Sequence, residues 1–365
     1  MRTLDRKLKV AILGGTGMVG QRFISLLEGH PWFEITTIAA SAKSAGKTYE
    51  EAISGRWKMQ NAIPEAVKNI QVVDVTDIDT VADSVDFCFS AVDMSKEEII
   101  AFEEAYARTE TPVVSNNSAH RWTPDVPMVI PEINPEHYDV IKYQKERLGT
   151  KNGFIAVKPN CSIQCYVPAL KAWEEYEPTE VVVSTYQAIS GAGKTFETWP
   201  EMVGNIIPYI GGEEEKSEQE PLRVFGHIEN GEIVKADSPK ITSQCIRVPV
   251  LEGHTASIFV KFANKPGSIQ EMIDKLTSFK GLPQEADLPS APKQFIQYLE
   301  DDDRPQVLKD AYYEGGFGVS FGRLREDLIF DYRMVGLAHN TVRGAAGGAI
   351  LSAEALTELG YINSK

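Results

Sequence analysis

Along residues 1–115 the apolar positions gather into short runs separated by turn-forming or helix-patterned stretches. Residues 8–13 (LKVAIL) are one such run, continuous enough for a strand buried on both faces. Residues 35–40, 70–73, 85–90 and 111–115 repeat the signal. Between them, residues 21–28 place apolar side chains at Phe23, Ile24, Leu26 and Leu27, and residues 96–109 keep helical spacing. Strands alternating with helices at this pitch predict a parallel, doubly wound sheet, an α/β domain. After about residue 157 the texture changes. Residues 181–187, 246–250, 257–262 and 328–333 read as longer strands, several alternating in polarity, which predicts a mixed or antiparallel sheet open on one face. The Ala- and Gly-rich tail, residues 341–359, is helical in pattern and is expected to pack back on the first domain.

Composition narrows the class. With 365 residues, 42% of them hydrophobic, the chain can bury one or two cores. No run approaches the roughly 18 apolar residues of a membrane span. The charged N-terminus lacks a signal-peptide core, so the cytosol is the expected compartment. Net charge is −15, from 37 basic and 52 acidic residues, and such a surface repels nucleic acid and anionic lipid. Neither is an expected partner. Cys88, Cys161, Cys165 and Cys245 form no CxxC pair and no zinc spacing, so no metal is expected and the thiols should be free.

The first chemistry lies directly after residues 8–13. Gly15, Gly17 and Gly20 satisfy G-x-G-x-x-G between a strand and a helix, where glycines admit a pyrophosphate to the helix N-terminus. A site preferring NAD usually carries an acid about 20 residues on, to bind the ribose 2′-hydroxyl. Here residues 39–44 read AASAKS, small hydroxyls with a cation, which favours NADP.

Cys161, in KPNCSIQC (158–165), stands where a Pro-containing loop meets a helix pattern that Pro168 can interrupt. A helix N-terminus lowers a thiol's pKa, and the thiolate is the nucleophile; on spacing alone Cys161 would be structural at least as often as catalytic, because free cysteines are among the most buried residues. Cys165, one turn on, reads as core. A cysteine nucleophile needs a base or proton shuttle, and His254, past the Glu-Gly turn of RVPVLEGH (247–254), is the candidate. His30 and His137, in hydrophilic contexts with nearby prolines, are expected to face solvent. Residues 190–195, SGAGKT, mimic the end of a phosphate-binding P-loop, but Ala188 stands where that pattern requires glycine.

Taken together, GGTGMVGQ (14–21), SNNSAHR (115–121), PNCS (159–162), TYQAISGAGK (185–194), PYIGGEEEK (208–216), RVPVLEGH (247–254) and HNTVRGAAGGA (339–349) resemble the aspartate-semialdehyde dehydrogenase family, in its archaeal and fungal branch. The resemblance implies a Rossmann-type dinucleotide-binding domain plus an α+β catalytic and dimerisation domain. It divides the chain into residues 1–157 with 339–365, which bind NADP, and residues 158–338. It implies NADPH-dependent, reversible conversion of L-aspartyl 4-phosphate to L-aspartate 4-semialdehyde, on the route to lysine, threonine and methionine. The small-molecule partners are then the acyl phosphate or the semialdehyde with phosphate, and the assembly a homodimer or homotetramer.

By the same resemblance Cys161 forms the acyl-enzyme, His254 is the acid/base and Gln187 helps hold the substrate. Arg247 meets the substrate carboxylate, Glu213 its ammonium group, and Lys216 with Arg121 its phosphate. The cofactor residues carried over are Gly14, Thr16, Gly17, Met18, Val19, Ser41, Ser44, Ser90, Ser190, Gly191 and Asn340. Glu214, Glu215 and Glu218 are left as a solvated helix face. N-acetyl-glutamyl-phosphate reductase and malonyl-CoA reductase share the scaffold, so a CoA-linked reductase is the main alternative. A non-catalytic NADP sensor and a P-loop nucleotidase are the others.

Overall fold

The computed structural model describes residues 2–365. Strands β1 (Leu8–Leu13), β2 (Phe33–Ala40), β3 (Val73–Asp74), β4 (Phe87–Ser90), β5 (Val113–Ser115) and β6 (Ile155–Val157) form one parallel sheet in the order β3-β2-β1-β4-β5-β6. The order reverses beside β1, and ligands of such sheets bind there, at the carboxyl ends of the strands. The glycine turn after β1 opens directly into helix α1 (Met18–Leu26), three residues earlier than the apolar spacing indicated. Helix α2 (Lys96–Arg108) starts with a Ser95/Glu98 capping box, worth about 1 kcal/mol, and ends one residue before the expected boundary. Strand β6 has no counterpart in the sequence reading, because a three-residue buried strand is too short to show a period.

The second sheet comprises β7 (Pro178–Gln187), β10 (Lys240–Arg247), β11 (His254–Phe262), β12 (Ile296–Leu299), β13 (Val319–Glu326) and β14 (Tyr332–Ala338). A separate hairpin, β8 (His227–Glu229) with β9 (Glu232–Val234), lies outside it. The sheet runs β10-β7-β11-β14-β13-β12, parallel at its two outer pairs and antiparallel between. Strand β10 ends at Arg247, short of the predicted 246–250, as Pro249 has no N–H to continue a ladder. The predicted strand 328–333 is displaced to β14. Leu328 and Ile329 are exposed in a turn where the Asp327 carboxylate accepts the Ile329 and Phe330 N–H groups.

Helix α3 (Glu213–Val224) packs on β10, the edge strand. Its acidic run is not simply solvated. Glu215 is exposed, but Glu214 and Glu218 are half-buried and accept the N–H groups of Cys245 and Ser243, covering an otherwise open sheet edge.

Two histidines also depart from expectation. His30 is buried, stacked on Phe33 and paired with Glu354 at 2.8 Å. His137 is buried between Asn134 and the Gly226 carbonyl.

The tail forms a wide turn, Val342–Ala346, and then helix α4 (Gly347–Glu358). Its small residues have a packing reason: α4 is buried nearly all round and joins Phe23, Val10 and Ile12 in the core of the first sheet. Arg343 locks this tail in place. It makes a bidentate pair with Glu132 (2.7 and 2.6 Å), donates to Gln164 at 3.1 Å and lies over the Phe295 ring at 4.5 Å. Both charges are buried, so removing one strands the other. Glu132→Ala should therefore lower unfolding stability by about 3–5 kcal/mol. The measurement is urea unfolding followed by tryptophan fluorescence, and an unchanged midpoint would contradict this account of the tail.

Candidate active site

Strand β6 delivers the chain to Lys158-Pro159-Asn160-Cys161 at the carboxyl edge of the first sheet. The segment after Cys161 is a tight 3₁₀ turn, Ser162–Cys165, and an α-helix begins only at Val167–Ala172, with Pro168 in its first turn. The turn is organised by Asn160, whose Oδ1 accepts the Ser162 N–H (2.8 Å) and hydroxyl (2.6 Å). Cys161 is partly exposed on the wall of a cleft of about 260 Å³. Cys165 is fully buried, as expected of core.

His254 is the first residue of β11, and its Nε2 stands 3.3 Å from Cys161 Sγ. Its other nitrogen is committed, since Nδ1 accepts the Ala188 N–H at 3.0 Å. A neutral imidazole whose Nδ1 accepts must carry its proton on Nε2, facing the sulfur. Burial, and next the positive charge of Arg247, pull His254 down to about 3, so the ring stays neutral at physiological pH.

The adjacency of β10, β7 and β11 brings the remaining groups together. Arg247 and Gln187 are register partners at the ends of β10 and β7. Arg247 Nη1 donates to the Ala188 carbonyl at 2.7 Å, and Gln187 Nε2 donates to Glu213 at 3.3 Å. A methyl built on Gly191 would stand 3.1 Å from Arg247 Nη1 and 3.2 Å from His254 Cε1, which places Gly191 against both. Glu213 and Lys216 pair at 2.9 Å on one face of α3, and both line the cleft. Arg121 lines it too, paired with Glu220 at 3.0 Å.

The thiol departs from the expectation of a lowered pKa. Burial and then the Glu213 carboxylate push the Cys161 thiol above its ordinary value, against the pull of Lys158, Arg121 and Arg247. The 3₁₀ turn supplies too little dipole to reverse this. Glu213 itself stays ionised: burial opposes it, but Lys216 and the Asn160 amide hold its carboxyl below the usual range.

The residues expected to hold the cofactor fall into two places. Gly14, Thr16, Gly17 and Ser41 line a second cavity of about 220 Å³, while Val19, Ser190, Gly191 and Asn340 line the cleft itself. Met18 opens α1 between them. Ser44 and Ser90 line neither; Ser44 N–H closes a turn onto Ser41, and Ser90 accepts the Asn117 amide at 3.2 Å. These residues fit a dinucleotide. A Cβ on Gly20 would lie 2.3 Å from the Gly14 carbonyl oxygen, so only glycine lets the turn close this tightly. No side chain caps α1 and no acid sits in its first turn, which leaves its N–H groups for an anion. The end of β2 carries Ser41 in place of a carboxylate, consistent with a 2′-phosphate.

The P-loop reading fails on geometry. Residues 189–192 form a 3₁₀ turn, no α-helix follows, and Lys194 is exposed. The sequence reading had not singled out Asn160, Glu220, Lys158 or the backbone of Ala188. Asn160 joins the sites, donating its side-chain amide to both Glu213 oxygens (3.0 Å) and its N–H to Glu220 (2.5 Å). Its position beside Cys161 was the one available signal.

Comparison with known proteins agrees with the geometry. The model of the semialdehyde dehydrogenase NAD binding domain matches residues 9–141, and that of the semialdehyde dehydrogenase dimerisation domain matches residues 168–343. The aspartate-semialdehyde dehydrogenase of Methanothermobacter thermautotrophicus is 43% identical, over 96% of this chain and 99% of that protein. The Schizosaccharomyces pombe enzyme of the same name is 39% identical, over 97% and 99%. The crystal structure of aspartate semialdehyde dehydrogenase with NADP from Candida albicans superposes with a TM-score of 0.87 at 38% identity, covering 98% of this chain and all of that one.

Alkylation of Cys161 by iodoacetamide should accelerate with pH about a midpoint above that of a free thiol. Glu213→Gln should lower that midpoint, because it removes the negative charge that holds the proton on sulfur. An upward shift in this variant would contradict the electrostatic account.

Proposed function

The chain belongs to the aspartate-semialdehyde dehydrogenase family, and we propose that its Cys161–His254 pair carries the reaction of that family through a thioester on Cys161. The protein is an NADP-dependent oxidoreductase of amino-acid biosynthesis that interconverts L-aspartyl 4-phosphate and L-aspartate 4-semialdehyde. The observation that carries the assignment of residues is the 3.3 Å contact between Sγ and Nε2 at the wall of the cleft.

Each residue then has a task set by its chemistry. The substrate ammonium pairs with Glu213, which both holds the substrate and screens the carboxylate that keeps the thiol protonated. Binding and ionisation are thus coupled. Arg247 takes the α-carboxylate with its planar fork, while Arg121 and Lys216 meet the phosphate. Gln187, anchored to Glu213, orients the acyl group beside sulfur. As the Cys161 sulfur attacks the acyl carbon, the bond from that carbon to the phosphate oxygen breaks and a thioester remains; the thiol proton leaves on the departing phosphate, because His254 Nε2 already carries one. When bound, NADPH supplies the hydride that reduces this thioester. His254 Nε2–H faces the negative charge as it passes between the carbonyl oxygen and sulfur, and stabilises it as the aldehyde is released.

The acid at position 213 supports an amino-bearing substrate over a malonyl group, which has no ammonium to pair with it. A non-catalytic sensor would have no use for the thiol–imidazole contact. We further assign residues 1–157 and 339–365 to NADP binding and residues 158–338 to catalysis and dimerisation. A homodimer or homotetramer in the cytoplasm completes the reading, supported by the matched dimerisation domain. No helix among the described residues is long and apolar enough to cross a membrane.

Purified protein with aspartate semialdehyde, phosphate and NADP should generate reduced cofactor in a phosphate-dependent manner, and Cys161→Ser should abolish this. Turnover with malonyl-CoA but not with phosphate would overturn the phosphate-linked reading. Ala188→Pro tests the tautomer: its φ of −64° already suits proline, yet proline has no N–H to give His254. We expect a folded enzyme with kcat lowered by about 10²-fold or more. Native turnover in that variant would remove the Ala188 N–H from the account.

A further inference from the structure

Four cations stand in or beside the cleft: Arg121, Lys158, Lys216 and Arg247. Arg121 is paired with Glu220 and Lys216 with Glu213. Arg247 and Lys158 form no ion pair among the described residues; each donates only to a backbone carbonyl, Arg247 to Ala188 and Lys158 to Pro159. Four basic groups against two carboxylates leave two with no carboxylate partner. The acyl phosphate brings one ammonium, one carboxylate and a doubly charged phosphoryl group, a net charge of −2 that these two balance once both carry their proton. With Arg247 facing the carboxylate, the remaining uncompensated cation is Lys158.

Its placement fits that task. Lys158 is 3% exposed yet lines the cleft, so its ammonium is withdrawn from bulk water and open only to what the cleft binds. Its backbone N–H joins the Ser115 carbonyl at 3.3 Å, which sets it beside Asn116, Asn117 and Ser118 on the same wall. Its carbonyl accepts Arg121 Nε at 3.1 Å, tying the two cations into one segment.

We propose that Lys158 is a further ligand of the phosphate subsite, donating to the phosphate that leaves on acylation of Cys161 and to the one that enters on the return; this rests on the phosphate-linked reading above. Burial and then Arg121 hold Lys158 down to about 7, with Arg343 adding to them and Cys161 and Glu220 opposing. A bound anion reverses that balance by favouring the ammonium.

The test uses the full-length enzyme with NADP and aspartate semialdehyde saturating and inorganic phosphate varied. Lys158→Met should raise the KM for phosphate about tenfold or more, as expected for loss of a hydrogen bond to a charged group, and leave the KM for the aldehyde within about twofold. Lys158→Arg should recover most of the loss. Lys216→Met is the control on the parent reading. If it raises the phosphate KM and Lys158→Met does not, this inference falls alone. If neither does, the phosphate subsite itself is misassigned. Should the methionine variant not fold, trace acetylation of the native protein decides: phosphate should protect Lys158 in peptide mass spectra. Equal labelling with and without phosphate overturns the proposal.

Discussion

One alanine's backbone sets the geometry on which the chemistry depends. The Ala188 N–H holds His254 by Nδ1, and the Ala188 carbonyl holds Arg247 by Nη1. The first contact fixes the imidazole tautomer and aims Nε2–H at sulfur; the second fixes a planar cation beside it. Both side chains stand at strand ends, and these backbone contacts fix their orientation there. Ala188 is itself held, since the two residues after it donate their N–H groups to Val250 and Leu251. The loops ending β7 and β10 thus brace each other, and the braced pair positions His254.

Around this frame the cleft keeps its charges in a low-dielectric setting, where each one counts for more than it would in water. The resting thiol is held protonated by burial and by Glu213, which protects it from adventitious reaction. On the proposed reading, a substrate ammonium would cancel that carboxylate on binding. Asn160 links the two groups, joined covalently to Cys161 and by hydrogen bonds to Glu213.

The two sheets meet at this point because of the tail. Arg343 reaches Glu132 in the first sheet's loops, Gln164 in the turn after Cys161 and the Phe295 ring before β12. A buried pair of this kind costs desolvation, and its gain is registration of three segments that carry separate parts of the site. Glu252 does similar work on the cofactor side, pairing with Arg22 of α1 and accepting the Thr341 hydroxyl at 3.1 Å, two residues before His254.

Much of this was legible in the chain. The run LKVAIL and the glycines after it specify strand, turn and helix by local sterics alone, and the absence of an acid at the end of β2 is a property of residue identity. Cys161, His254, Arg247 and the Glu213/Lys216 spacing stood out because their types and motifs limit what they can do. What the chain could not express by itself was adjacency. Histidines 30 and 137 looked solvated because their partners, Glu354 and Gly226, lie 324 and 89 residues away. Strands β12 and β13 are absent from the sequence pattern and β14 is displaced, because strand bounds are set by pairing and not by period. The thiol's raised pKa, the imidazole's proton and the lowered pKa of the unpaired Lys158 each arise from burial and fields summed over several segments. Local pattern determines which residues can act; only the folded arrangement, through burial and long-range contacts, decides in which charge state they do so.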